Sequence, residues 1–147
     1  MKFKVIIDPE REEEVVVYAR VHTPLIEELE RFVLSNTGAD SICVYTDDTW
    51  KVLPYAEIEC ITAVNGKVYA TDIQGQQYRL KQRLYELEEK LPCYFIRINK
   101  SAIANEKRID RFCAGYSGSV DAVFKCGCRE YVSRRCFAQI RRRYEIT

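Results

Sequence analysis

Histidine is nearly absent from this sequence, and long apolar runs are wholly absent. The one histidine in 147 residues, His22, has no nucleophile beside it and so offers no catalytic triad. A surface or capping role suits it better. The apolar runs are short, as at Val15 to Ala19, and fall far below the roughly 20 residues that span a bilayer. Neither phosphate-cradling motif, G-x-x-x-x-G-K-[ST] or G-x-G-x-x-G, is present. The small-residue stretch Tyr116 to Val120 lacks the lysine and the helix such a cradle uses. The opening "MKFKVIIDPEREEE" has no small-residue cleavage site and turns acidic at once, so it reads as a strand and not a signal peptide. No repeat or low-complexity segment stands out. The expectation is a cytoplasmic protein that is not an enzyme and takes no cofactor or small-molecule substrate.

Cysteine is plentiful but oddly placed. Seven cysteines make an unpaired count, and Cys43, Cys60 and Cys93 sit in apolar settings, which favours reduced core thiols over disulfides. Cys126-Gly127-Cys128 is the one metal-like element. Its spacing is one residue short of the usual zinc pair, and Cys113 and Cys136 would have to converge to complete a site. No metal site is therefore expected. A neighbouring Arg129 suggests a lowered thiol pKa and redox sensitivity there.

Charge is balanced in total, with a formal net of +1, yet unevenly spread. Residues 1–40 hold 5 basic and 9 acidic side chains, whereas residues 97–147 hold 12 and 5. A basic last third on a nearly neutral chain suggests a face for a polyanion.

Apolar residues are 47% of the chain, enough for a packed core in one domain. "KFKVII" and "EEVVVYARV" are β-rich. Residues 22–36 read as a helix, with Thr23 as cap and Pro24 at the first helical position. "SNTGAD" then marks a boundary near residue 40. Beyond it the pattern turns to β, with a hairpin across Asp47-Asp48 and three short strands divided by Asn65-Gly66 and Gly75. Leu80, Leu84, Leu87 and Leu91 share one stripe of a predicted helix that Pro92 ends. "CYFIRI" is a strand, "SAIANEKRI" a short helix or turn, and three more strands follow. Ser133 caps a last helix with Cys136, Phe137, Ile140 and Tyr144 inward. Two units result: a β-β-α arm over residues 1–40 and a mostly β domain over 41–147.

Arg97, Lys100, Lys107 and Arg108 crowd one apolar element, and Arg134 and Arg135 stand where a strand becomes a helix. Lysine and arginine neutralise phosphates, and one or two arginines can read guanine. Surface salt bridges to Glu106, Asp110 and Glu130 are the plain alternative. A single-strand or RNA-binding module stacking bases on Tyr94 and Tyr116, or a basic face for an acidic protein partner, also fits.

Three pieces in order resemble the LytTR family of bacterial DNA-binding domains: residues 55–91, then "CYFIRINKSAIANEKRI", then "CREYVSRRCFAQIRRR". Phe95, Arg97, Lys100, Ser101 and Asn105 fill a motif F-x-R-x-x-(R/K)-S-x-x-x-N in register, and Val132, Ser133 and Arg134 fill V-S-R. Ala63-Val64, Ala104 and the CG hairpin depart from the family pattern.

The resemblance implies a mainly β fold, an elongated stack of small antiparallel sheets with short helices, covering about residues 41–147. It implies contacts with double-stranded DNA by loops entering successive major grooves. The loop Asn65 to Lys67 would supply one contact, Lys100 a second and Arg134 a third, with Arg97 and Arg135 on phosphates. A stand-alone transcriptional regulator without a receiver domain is implied, binding a repeated site as a homodimer and paired with a small membrane regulatory partner. The arm would make the dimer or partner contact, or simply pack on its own domain.

Overall fold

The computed structural model describes residues 2–35, 40–115 and 118–145, and among these three α-helices, two single-turn 3-10 helices and ten strands are formed. Helix α1 (Pro24–Ser35) comes first, followed by β1 (Ser41–Thr46), β2 (Thr49–Pro54), β3 (Ile58–Val64), β4 (Lys67–Asp72) and β5 (Gln77–Leu80). After α2 (Leu84–Lys90) come β6 (Phe95–Asn99), β7 (Ala102–Asn105), β8 (Ile109–Ala114), β9 (Val120–Phe124), β10 (Arg129–Val132) and α3 (Arg134–Tyr144). All strand pairs are antiparallel, in a seven-stranded sheet of order β2-β1-β5-β4-β3-β7-β6 and a three-stranded sheet of order β10-β9-β8.

Local chemistry sets the turns. Asn65 and Gly66 have φ of 52° and 77°, the paired left-handed conformation a two-residue hairpin needs, and they join β3 to β4. Asp72 accepts hydrogen bonds from the amides of Gln74 and Gln76 at 2.9 Å each, which shapes the turn into β5. Thr46 pairs with Thr49 across Asp47-Asp48. Ser133 Oγ accepts from the Cys136 amide at 3.2 Å and so caps α3 as expected.

Strand β6 supplies two cores from its two faces. Phe95 points to the side where Leu84, Leu87 and Leu91 meet Ile61, Tyr55 and Ile103. Ile96 and Ile98 point the other way, onto Phe124, Val132 and Ile140. The period of two along a strand makes one short segment the partition between α2 and the unit of β8–β10 and α3.

Two buried polar side chains tie the sheets together. Glu59 is fully buried, taking the Arg108 guanidinium on one oxygen and the Cys126 amide, at 3.0 Å, on the other. Asn105 donates to the carbonyls of Tyr55 and Ile58 and accepts from the Lys107 amide.

The structure differs from the sequence expectation at four places. Residues 2–22 form no strand, because a β-prone segment without a hydrogen-bonding neighbour has no ladder to join. Of the expected β-β-α arm only α1 is formed; it starts at Pro24 with the Thr23 carbonyl accepting from Ile26 and Glu27. Leu80 belongs to β5, and α2 begins only at Leu84, although all four leucines of the stripe are buried. Residues 102–105 form β7, the strand between β3 and β6, where both faces are covered and no alternation remains to be read. Tyr144 lies exposed at the end of α3, its hydroxyl donating to Glu106.

Candidate nucleic-acid interface

Three loops are laced together along one margin of the stacked sheets. The Ala63 amide, two residues before Asn65, donates to the Ser101 carbonyl at 2.8 Å. Asn99 Nδ2 donates to the Tyr131 carbonyl at 2.6 Å, and its Oδ1 takes the Ser101 amide at the same distance. The Ser133 amide donates to the Ile98 carbonyl at 2.8 Å. The turn carrying Lys100 therefore sits between the Asn65-Gly66 tip and the start of α3.

The side chains on these loops divide into free and committed groups. Asn65, Lys67, Lys100, Arg134 and Arg135 are exposed, and none has a side-chain partner among the described residues. Lys67 lies beside Tyr69, Gln77 and Arg79 instead of at the tip of its turn. Arg97 is committed. Its Nε donates to the Asn99 carbonyl at 2.8 Å, one terminal nitrogen to the Lys100 carbonyl at 2.5 Å, and the other to Glu88 of α2 at 2.9 Å. Such a fork holds the Lys100 turn against α2 and leaves little of the guanidinium for an outside anion.

A basic groove lies next to this margin and was not singled out from the sequence. It encloses about 890 Å³ and is lined by Gly66, Arg79, Lys81, Arg83, Arg97 and Lys100, among others. Tyr45 and Tyr69 both pair across the strands with Arg79, whose guanidinium lies over the Tyr69 ring. Lys81 Nζ stands 4.5 Å above Tyr45. Tyr78 and Leu80 are buried while Arg79 and Lys81 are exposed, so the alternation of β5 carried the signal. It was hidden because these residues fall where the sequence counts as slightly acidic. One buried polar atom of the groove, Gln82 Oε1, has no hydrogen-bond partner within the described residues.

The remaining candidates are placed as follows. Lys107 Nζ lies over the Tyr94 ring at 4.1 Å, and Tyr94 packs on Phe95, so that ring is not an open platform for a base. Tyr116 is outside the described residues, as is Ser117 of the small-residue stretch. Arg108 is taken by Glu59, and Arg129 pairs with Asp121 at 3.2 Å. The thiol of Cys126 is not lowered by Arg129; burial, with Glu59 beside it, pushes it up to about 12. Burial likewise pushes the Cys60 thiol up to about 12. All seven cysteines are free thiols, and among the described residues no three metal-ligating side chains converge. His22 is exposed and stands 3.6 Å from Glu27 in the first turn of α1. Among the described residues no helix is long and apolar enough to cross a membrane.

Comparison with known proteins places the fold. Residues 48–145 match the LytTr DNA-binding domain, and the chain belongs to that family. A solved LytTr DNA-binding domain from a Bacillus cereus response regulator superposes with a TM-score of 0.65 at 24% identity, covering 71% of this chain and 96% of that one. An uncharacterized HTH-type transcriptional regulator from Staphylococcus aureus strain MSSA476 is 27% identical over 150 residues, with 99% of each chain covered. Another so named, from strain NCTC 8325, is 28% identical over 133 residues, 88% of this chain and 90% of that one. Here the three helices are separated from one another by five strands each, so no two form a helix-turn-helix pair among the described residues.

Proposed function

We propose that this chain is a sequence-specific transcriptional regulator that binds double-stranded DNA with loop residues set into successive major grooves, as a dimer on a repeated site. The observation that carries it is the lacing of the Asn65, Lys100 and Ser133 loops into one margin bordered by a basic groove. Family membership and the names of the Staphylococcus relatives support the same reading. Lys100, Arg134 and Asn65 face base edges, while Lys67 and Arg135 neutralise phosphates. Arg79, Lys81 and Arg83 join them as phosphate contacts, because a groove lined by cations with aromatic walls follows a sugar–phosphate backbone. Arg97 acts as a positioning residue for the Lys100 turn. Domain 41–147 is the DNA-binding unit, and the arm over 1–40 serves the dimer.

Selection of bound duplexes from a random pool tests the proposal. A recurring element that single-stranded competitor fails to displace is the expected outcome. An unenriched pool, or better competition by single strands, would overturn it. On the selected duplex, Arg134→Ala should cost roughly 1–3 kcal/mol and relax preference at one base position.

A further inference from the structure

The arm exposes apolar side chains along a segment that is in neither helix nor strand. Tyr18 is 95% exposed, and Val15 and Val16 are 62% and 58% exposed, although β-branched and aromatic residues of this kind form strands. The whole chain exposes 11294 Å². A compact monomer of its 17.2 kDa would expose roughly 7,800 Å². The excess of about 3,500 Å² is surface that one chain by itself leaves uncovered.

The segment is also complementary to itself. Glu14 stands at one end and Arg20 at the other, and neither has an ion-pair partner among the described residues. Two copies laid antiparallel about Val17 set each Glu14 opposite the other copy's Arg20, with Val15 opposite Ala19 and Val16 opposite Tyr18. A parallel arrangement would set like charge on like. Cross-strand pairs of opposite charge stabilise a ladder, and like pairs destabilise it.

We propose that residues 14–20 pair antiparallel with the same residues of a second copy, across a two-fold axis at Val17, and that this ladder holds the homodimer. In that ladder the inward-facing half of the backbone amides and carbonyls, which one chain alone leaves to water, find partners. A closed two-fold contact of this kind uses the same patch twice and does not propagate into fibres. The inference deepens the reading above, which calls for two copies on a repeated site. The relative from Staphylococcus aureus strain MSSA476 aligns with the chain over 99% of its length, so the similarity extends through the arm.

Light scattering on the full chain without DNA reads this interface alone. The wild-type chain is expected to run as a dimer at micromolar concentration. Val17→Lys, which brings two lysines face to face on the axis, should give a monomer that still melts cooperatively, because residues 14–20 belong to neither core. Glu14→Arg or Arg20→Glu alone should weaken the dimer about tenfold, and the double reversal should restore it to within about twofold. A wild-type monomer, or a dimer indifferent to Val17→Lys and to the charge reversals, overturns the inference. Binding of one half-site duplex by the wild-type chain reports the DNA face separately, so failure of either reading is recognised without the other.

Discussion

Glu59 has no exposure, and a carboxyl group at that depth is tolerated because the Arg108 guanidinium and the Cys126 amide replace its water. Glu59→Gln leaves Arg108 facing a neutral amide, and the expected loss is about 3 kcal/mol, measured by urea denaturation. Glu130 shows the opposite situation. Burial, with Asp121 nearby, raises its carboxyl above the ordinary range, so the folded state holds that proton more tightly than the unfolded state does. Its ionisation therefore costs stability, a cost absent in acid and fully present once the pH exceeds the raised value. Glu130→Gln should melt above wild type near neutrality and lose that advantage below the ordinary carboxylate range. Thermal scans across pH check the sign.

At the level of elements, the turn around Lys100 depends on groups that never touch a ligand. Arg97 pins it to α2 through Glu88, and Asn99 pins it to β10 through the Tyr131 carbonyl. Arg97→Ala should weaken duplex binding about tenfold through a loosened turn while leaving the slope of log affinity against log salt unchanged. Lys81→Ala, which removes a phosphate contact, should lower that slope by about one unit. Equal slope changes for both would reassign Arg97 to phosphate. The β3–β4 hairpin offers a second check. Gly66 sits at φ +77°, and a methyl added to it would meet nothing within 4 Å, so its constraint is conformational and not steric crowding. Gly66→Ala should cost roughly 1 kcal/mol of stability in a denaturant titration.

On the scale of the molecule, charge does what no single contact can. Lys67, Arg79, Lys81, Lys100, Arg134 and Arg135 lie along the margin and its groove, whereas the acids of residues 8–14 are on the arm. If the five phosphate contacts Lys67, Arg79, Lys81, Arg83 and Arg135 are all made, log affinity should fall with log salt at a slope of about −4.5, read from titrations between low and physiological salt. A dimer doubles that count on a repeated site, so Val17→Lys should bind with about half the slope of wild type.

The amino-acid sequence by itself determined the β-rich domain, the Asn65-Gly66 and Asp47-Asp48 turns, the Ser133 cap and the free placing of Lys100 and Arg134. Those features rest on local chemistry: side-chain alternation, positive φ and capping hydroxyls act over a few residues. Only the tertiary structure decided that Leu80 ends a strand, that residues 102–105 pair between β3 and β6, and that Arg97 buttresses a turn instead of facing outward. It alone gathered Arg79, Lys81 and Arg83 beside Lys100, since the β3–β7 pairing joins residues distant in the chain and so brings the β3–β4–β5 strands into one sheet with β6. The arm shows the same division from the other side: its β-branched run was legible, but a strand exists only where a second backbone completes the ladder.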